Sequence, residues 1–77
     1  MSLSDLEPGQ SATIERINVE QSGHSLAYRL EAMGLMANKP VHVLRKAAFG
    51  GPLHIRVGST TELAIRPQEA AYVLVKC

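Results

Sequence analysis

Pro40-Val41-His42-Val43-Leu44-Arg45-Lys46-Ala47-Ala48-Phe49-Gly50-Gly51-Pro52-Leu53-His54-Ile55-Arg56-Val57 is the stretch on which the fold turns. Its second half alternates cleanly, with Leu53, Ile55 and Val57 on one side and His54 and Arg56 on the other. That is the period of a half-buried strand. Val41 to Leu44 reads as a second strand, and Pro40 suits its first position because proline has no N–H to give to a ladder. Phe49-Gly50-Gly51-Pro52 between them is a turn cluster, so the stretch reads as strand, turn, strand.

Working outward, Ser11 to Val19 reads as a strand rich in Thr13, Ile14, Ile17 and Val19. Ile14 and Ile17 are three apart, which breaks alternation; a β-bulge would return both to one face. Before it, Leu3 and Leu6 form a short apolar lead that ends in a turn at Pro8-Gly9 and tucks under the sheet. After it, Gln21-Ser22-Gly23 interrupts, and the spacing of Leu26, Leu30 and Met33 predicts a short helix of about ten residues from His24. Ser22 is its expected N-cap, and Gly34 stands where a left-handed C-terminal residue is expected, with Leu35 closing the apolar contact. Downstream, Gly58-Ser59-Thr60-Thr61 leads into a strand at Glu62 to Ile65. Pro67 to Ala70 reads as one helical turn with proline at its start, and Tyr72 to Val75 as the last strand. The order predicts a mainly β fold: a small, partly open SH3-like barrel of about five strands with one short inserted α-helix, over a single domain, residues 1–77. An OB-fold shares this inventory, but its helix usually falls between the third and fourth strands.

Composition narrows the function. The chain has 77 residues and one cysteine, Cys77, so no intramolecular disulfide can staple it; four-sulfur and paired Cys/His zinc patterns are absent as well. Stability has to come from an apolar core, and 45% hydrophobic residues can supply one. Eight Lys and Arg against seven Asp and Glu leave a formal charge of +1. A nucleic-acid binder draws much of its affinity from phosphate neutralisation and shows a basic stripe, so none is expected here. No apolar run approaches the roughly 20 residues that span a bilayer. The start of the chain has neither a basic segment nor a signal-like stretch, and a cytoplasmic location is expected.

Three histidines invite a metal reading. His42 and His54 lie on the two strands of the quoted stretch and would be cross-strand neighbours in a hairpin, enough for weak Fe²⁺ or Zn²⁺ binding. The plainer reading is that both are solvent-facing residues of alternating strands. Met33 and Met36 read as packing residues, and Cys77 as a free thiol. No arrangement of nucleophile, base and orienting acid is visible, and Gly50-Gly51 precede a strand rather than a helix N-terminus, so no enzyme and no phosphate cradle is expected. What remains is protein binding. The aromatics are only Tyr28, Phe49 and Tyr72, too few for a groove that grips proline-rich peptides. The preferred contact patch is Phe49 at the turn with Arg45, Lys46 and Arg56, an aromatic-plus-arginine combination of the kind that dominates interface energetics. The outward helix face, with Tyr28, Arg29 and Glu31, is a second candidate. Edge strands of a small barrel can also pair into a homodimer.

The residues resemble a known family. Arg29-Leu30, Met33-Gly34-Leu35 and Val41 to Leu44 are similar to the helix-and-strand signature of FeoA proteins. Gly51-Pro52-Leu53-His54-Ile55 resembles their hairpin, and Leu63 to Arg66 with Glu69-Ala70 resembles their last third; Asp5-Leu6 and Pro8-Gly9 fit the opening. Two positions depart. Ala37-Asn38 stands where Pro-Gly is usual, a change Asn can absorb because it tolerates positive φ, and Gly51 stands where Asp is frequent. The resemblance implies an SH3-like barrel acting in the cytosol beside FeoB, the Fe²⁺ permease with a GTP-binding domain, and peripheral to the inner membrane through it. It also implies an alternative, because the same barrel occurs as a C-terminal module of iron-dependent repressors, where it serves metal sensing or a nucleic-acid-associated role. This chain has no helix-turn-helix segment of its own.

Overall fold

A computed structural model describes the backbone of residues 1–77 and the side chains of all but Gln21 and Ser22. The elements are a 3₁₀ turn at Leu3–Asp5, β1 (Ser11–Ile17), α1 (Val19–Ser22), α2 (His24–Ala32), β2 (Pro40–Lys46), β3 (Leu53–Val57), β4 (Thr61–Ile65), α3 (Pro67–Ala70) and β5 (Val73–Lys76). The five strands form one antiparallel sheet in the order β4-β3-β2-β1-β5. The architecture is the mainly β, SH3-like barrel expected from the pattern, left open between β4 and β5.

The sheet curls because two strands carry an irregularity. In β1 the register against β5 slips between Ile14 and Arg16, and the extra residue returns Ile17 to the side on which Ile14 lies. Both are buried, as the three-residue spacing required. In β2 the register against β3 slips between Val43 and Arg45. That slip carries the strand to Lys46, two residues past the expected end. Bulges of this kind bend a strand and raise its twist, which is what rolls a flat ladder into a barrel.

Helix α2 ends as its sequence dictates. Gly34 has φ 106°, Leu35 N donates to Leu30 O at 3.0 Å, and Gly34 N donates to Glu31 O at 3.0 Å. These are the two bonds of a Schellman cap, and its apolar contact is made by Leu30 and Leu35, both fully buried. The helix start differs from expectation. The N-cap position belongs to Gly23, at φ 86° with no side-chain cap bond; the side chain of Ser22 lies outside the described residues.

Val19 is a second correction. It opens α1 rather than closing β1, because β1 ends where Asn18 N donates to Tyr72 O at 2.8 Å and the chain turns away from the ladder. Val19 then packs against the core from the helix side. Tyr72 likewise belongs to the turn after α3, with β5 starting at Val73.

The core is continuous under the sheet. Leu3, Leu6, Ile14, Leu30, Leu35, Val41, Val43, Ile55, Ile65 and Val73 are fully buried, and no polar or charged residue among the described ones is buried. The apolar lead closes the bottom and one edge of the sheet: Ser2 bridges Leu74, and Val75 N donates to Met1 O at 2.9 Å. The turn after α2 is kept by Asn38 at φ 71°, so the Ala37-Asn38 departure costs that loop little.

Candidate functional site

The β2–β3 hairpin carries the strongest surface anomaly. Ala47 N donates to Pro52 O at 3.0 Å and Gly51 N to Ala48 O at 3.3 Å, closing a tight turn over Ala48–Gly51. Its two central residues, Phe49 and Gly50, have φ 60° and 75°. Two consecutive positive φ values define the turns that match the twist of paired strands, and they favour Asn-Gly or Gly-Gly. Here a phenylalanine occupies the first position. Its side chain folds back on nothing and is fully exposed, at 105% of the reference area. Gly51 has its own constraint: a Cβ there would lie 2.7 Å from Ala47 Cβ. Any larger residue there, Asp included, would bring its Cβ into Ala47.

The charged groups around the tip are already partnered. Arg45 reaches the Nδ1 of His54 at 3.2 Å. Lys46 Nζ donates to Ser4 O at 3.0 Å and lies 3.5 Å from Glu7. Arg56 is not at the tip. It faces His42 across the ladder, three residues along β3 from Leu53, or about 10 Å at strand rise. Its guanidinium pairs with Glu62 of β4 at 3.2 Å. The patch therefore consists of Phe49 with Arg45 and Lys46, and Arg56 belongs to a different feature.

That feature is a transverse row. Ser11, His42, Arg56 and Glu62 are successive cross-strand partners from β1 to β4 on the outer face. Ser11 Oγ and His42 Nδ1 share a hydrogen bond of 2.6 Å. Sequence reading missed this row because it depends on β1 lying beside β2, a non-local pairing with no local signal. His42 has Ser11 on one side and Arg56 on the other, so no carboxylate orients its ring as catalysis of the serine-histidine kind requires.

His42 and His54 are on adjacent strands but are not opposite one another, since the hairpin pairs His42 with Arg56 and His54 with Arg45. Each imidazole is thus neighboured by a guanidinium, which would repel a dication placed on it. Among the described residues no group of three or more His, Cys, Asp or Glu could hold a metal ion. The register therefore disfavours a dication held between these two histidines of one chain. Cys77 is exposed, its thiol 3.7 Å from the Met1 sulfur.

On α2, Tyr28 is 70% exposed and lies 6.3 Å from the ring of His24. Arg29 forms an ion pair with Glu69 of α3, tying the two helices together, so of the second candidate surface Tyr28 and Glu31 are the exposed side chains outside that pair. No described helix is long and apolar enough to cross a membrane.

Fold and surface together define a small SH3-like barrel whose most distinctive surface feature is the exposed aromatic at its β2–β3 turn. The FeoA domain model matches residues 1–77. The chain belongs to the FeoA family, which is linked to ferrous iron transport. Among solved structures, FeoA of Stenotrophomonas maltophilia, complexed with zinc and put forward as a ferrous iron transport activating factor, is 32% identical with a TM-score of 0.83, over 99% of this chain and 89% of that one. An iron uptake regulatory protein (FeoA) is 30% identical with a TM-score of 0.84, over 99% and 95%. A manganese-dependent transcriptional repressor reaches a TM-score of 0.85 at 17% identity, with 40% of its own chain covered; that likeness is one of fold alone. No curated protein matches the chain.

Proposed function

We propose that this protein is a cytosolic accessory of ferrous iron uptake that binds the FeoB permease, assembling it or modulating it, with the β2–β3 turn as the point of contact. The observation that carries the reading is Phe49, a fully exposed aromatic held at positive φ in a member of a transport-linked family. A non-glycine residue in that conformation carries a steric penalty, and exposing a phenyl ring to water gains nothing in return. A partner with an apolar socket gives both features a use. Arg45 and Lys46 at the base of the turn suit a socket rimmed by carboxylates, which would govern encounter rate more than residence time. In this reading the protein is peripheral to the inner membrane, held there by the permease.

The test is affinity capture of detergent-solubilised FeoB by the purified protein at low and high salt. Wild type should retain the permease, and Phe49→Ala should weaken retention at least about tenfold, as loss of an interface anchor does. Arg45→Ala and Lys46→Ala should act mainly at low salt. Retention by Phe49→Ala within about twofold of wild type would rule out the turn as the contact, since an anchor truncation costs more than that.

A further inference from the structure

The two edges of the sheet are treated differently. The outer edge of β5 is covered by Ser2 and Met1 of the same chain, whereas among the described residues β4 has β3 as its one ladder partner. Beside β4 lies an open depression of 220 Å³, lined by Arg29, Met33, Ala64, Arg66 and Glu69. Some of the usual protections of an edge are missing from it, although it is short and carries the charge of Glu62. Thr61-Glu62-Leu63-Ala64-Ile65 contains no proline and no lysine, and its register against β3 runs without a bulge.

We propose that this edge takes a second copy of the same chain, the two β4 strands pairing antiparallel about a two-fold axis at Ala64. The argument is self-complementarity. Glu62 and Ala64 face outward, since they pair with Arg56 and His54 of β3. Arg66 continues the same face, because its backbone is still extended, at φ −70° and ψ 147°. With Ala64 opposite Ala64 of the second copy, Glu62 falls opposite Arg66 of the second copy, and the symmetry makes that ion pair twice. On the inward face Leu63, half-buried at the open edge, falls opposite Ile65 of the second copy, and each core gains an apolar neighbour. Centring the axis on Leu63 instead would set Glu62 against Ala64 and Arg66 against Thr60, so Glu62 would keep only its Arg56 partner of the same chain and Arg66 would gain none. A shift of one residue would put outward side chains against inward ones.

The paired segment is short, so the interface falls below the roughly 1,200 Å² typical of stable complexes, and a dissociation constant on the order of 100 µM is expected. Sedimentation velocity on the full chain, from about 10 µM to about 1 mM, brackets that value. Wild type should shift from monomer to dimer across the range. Glu62→Arg and Arg66→Glu should each raise the dissociation constant about tenfold, since each sets like charges opposite one another at two symmetric places. The double variant Glu62→Arg/Arg66→Glu should recover most of the loss, and thermal melts establish that all three are folded. Hydrogen exchange should show the amides of β4 gaining protection as concentration rises.

A wild-type protein monomeric throughout the range would overturn the proposal, as would a double variant no better than the singles or protection confined to another strand. Protection of β4 only on adding the permease would also overturn it and assign the edge to a strand of that partner. Apart from that last one, none of these outcomes depends on Phe49 or on capture of FeoB.

Discussion

Replacing Phe49 by glycine removes a large exposed apolar side chain and the Cβ of a left-handed residue in one step. Because the ring is fully exposed, no burial is lost. The left-handed conformation at φ 60° costs an L-residue about 1–2 kcal/mol. Against that, glycine surrenders about 0.5–1 kcal/mol more chain entropy on folding. The difference leaves the variant more stable by about 0.5–1 kcal/mol, which in a domain of this size raises Tm by about 2–8 °C. Phe49→Asn should behave similarly, since Asn-Gly is the sequence this turn prefers. Thermal and urea unfolding of wild type and both variants provide the assay, with unchanged m-values as the sign that the native state is otherwise the same. A lower Tm in either variant would refute the reasoning, because it would mean that the ring packs on the barrel in solution. Under the proposed function the same variants should lose permease binding, so stability and binding move in opposite directions. Such opposition marks a residue kept for contact.

Gly51→Ala should destabilise the hairpin by about 1–3 kcal/mol, the cost of forcing an extra methyl into occupied space; Ala47→Gly in the same chain should recover most of that, as urea unfolding of the single and double variants would show. A pH effect comes from Asp5, whose carboxylate accepts a hydrogen bond from Ser2 N at 2.9 Å. That bond, chiefly, holds its pKa below the ordinary 3.8. A depressed folded pKa means that its contribution is fully present above the unfolded value and is lost as pH falls through the folded one. Asp5→Asn should therefore flatten the stability profile below about pH 4, where an unperturbed carboxyl titrates, and leave its shape near neutrality unchanged.

The local features were legible because local physics sets them. The alternation of Leu53, Ile55 and Val57, the bulge implied by Ile14 and Ile17, Pro40 at a strand start, Pro67 opening a helical turn and the Gly34-Leu35 cap are all found in the structure as read. Each is decided within a few residues of chain. Val19 was misread because it is β-branched and follows a strand; what ends β1 is a bond from Asn18 to Tyr72, more than fifty residues away. The surface was harder for the same reason. Phe49, Arg45, Lys46 and Arg56 are close in sequence, yet Arg56 is drawn into a row with Glu62, and His42 is drawn to Ser11, by strand neighbours that no local pattern reveals. An apolar residue in a glycine-rich turn can either pack back on the barrel or stand free, so the local sequence does not fix how Phe49 sits.

The apolar lead that covers β5 also brings the two ends of the chain side by side, with Met1 O bonded to Val75 N and the Met1 and Cys77 sulfurs in contact. A short linker could therefore join them, and new ends opened at Gly50-Gly51 would cut a solvent-exposed turn and leave every strand whole. In such a circular permutant β5 would lead through the linker and residues 1–10 into β1. Their antiparallel pairing, which in the natural order must close a loop of most of the chain, would then close a much shorter one. Loop closure over long separations slows the folding of β proteins. The permutant would test whether bringing β1 to β5 is the slow event in assembling this barrel.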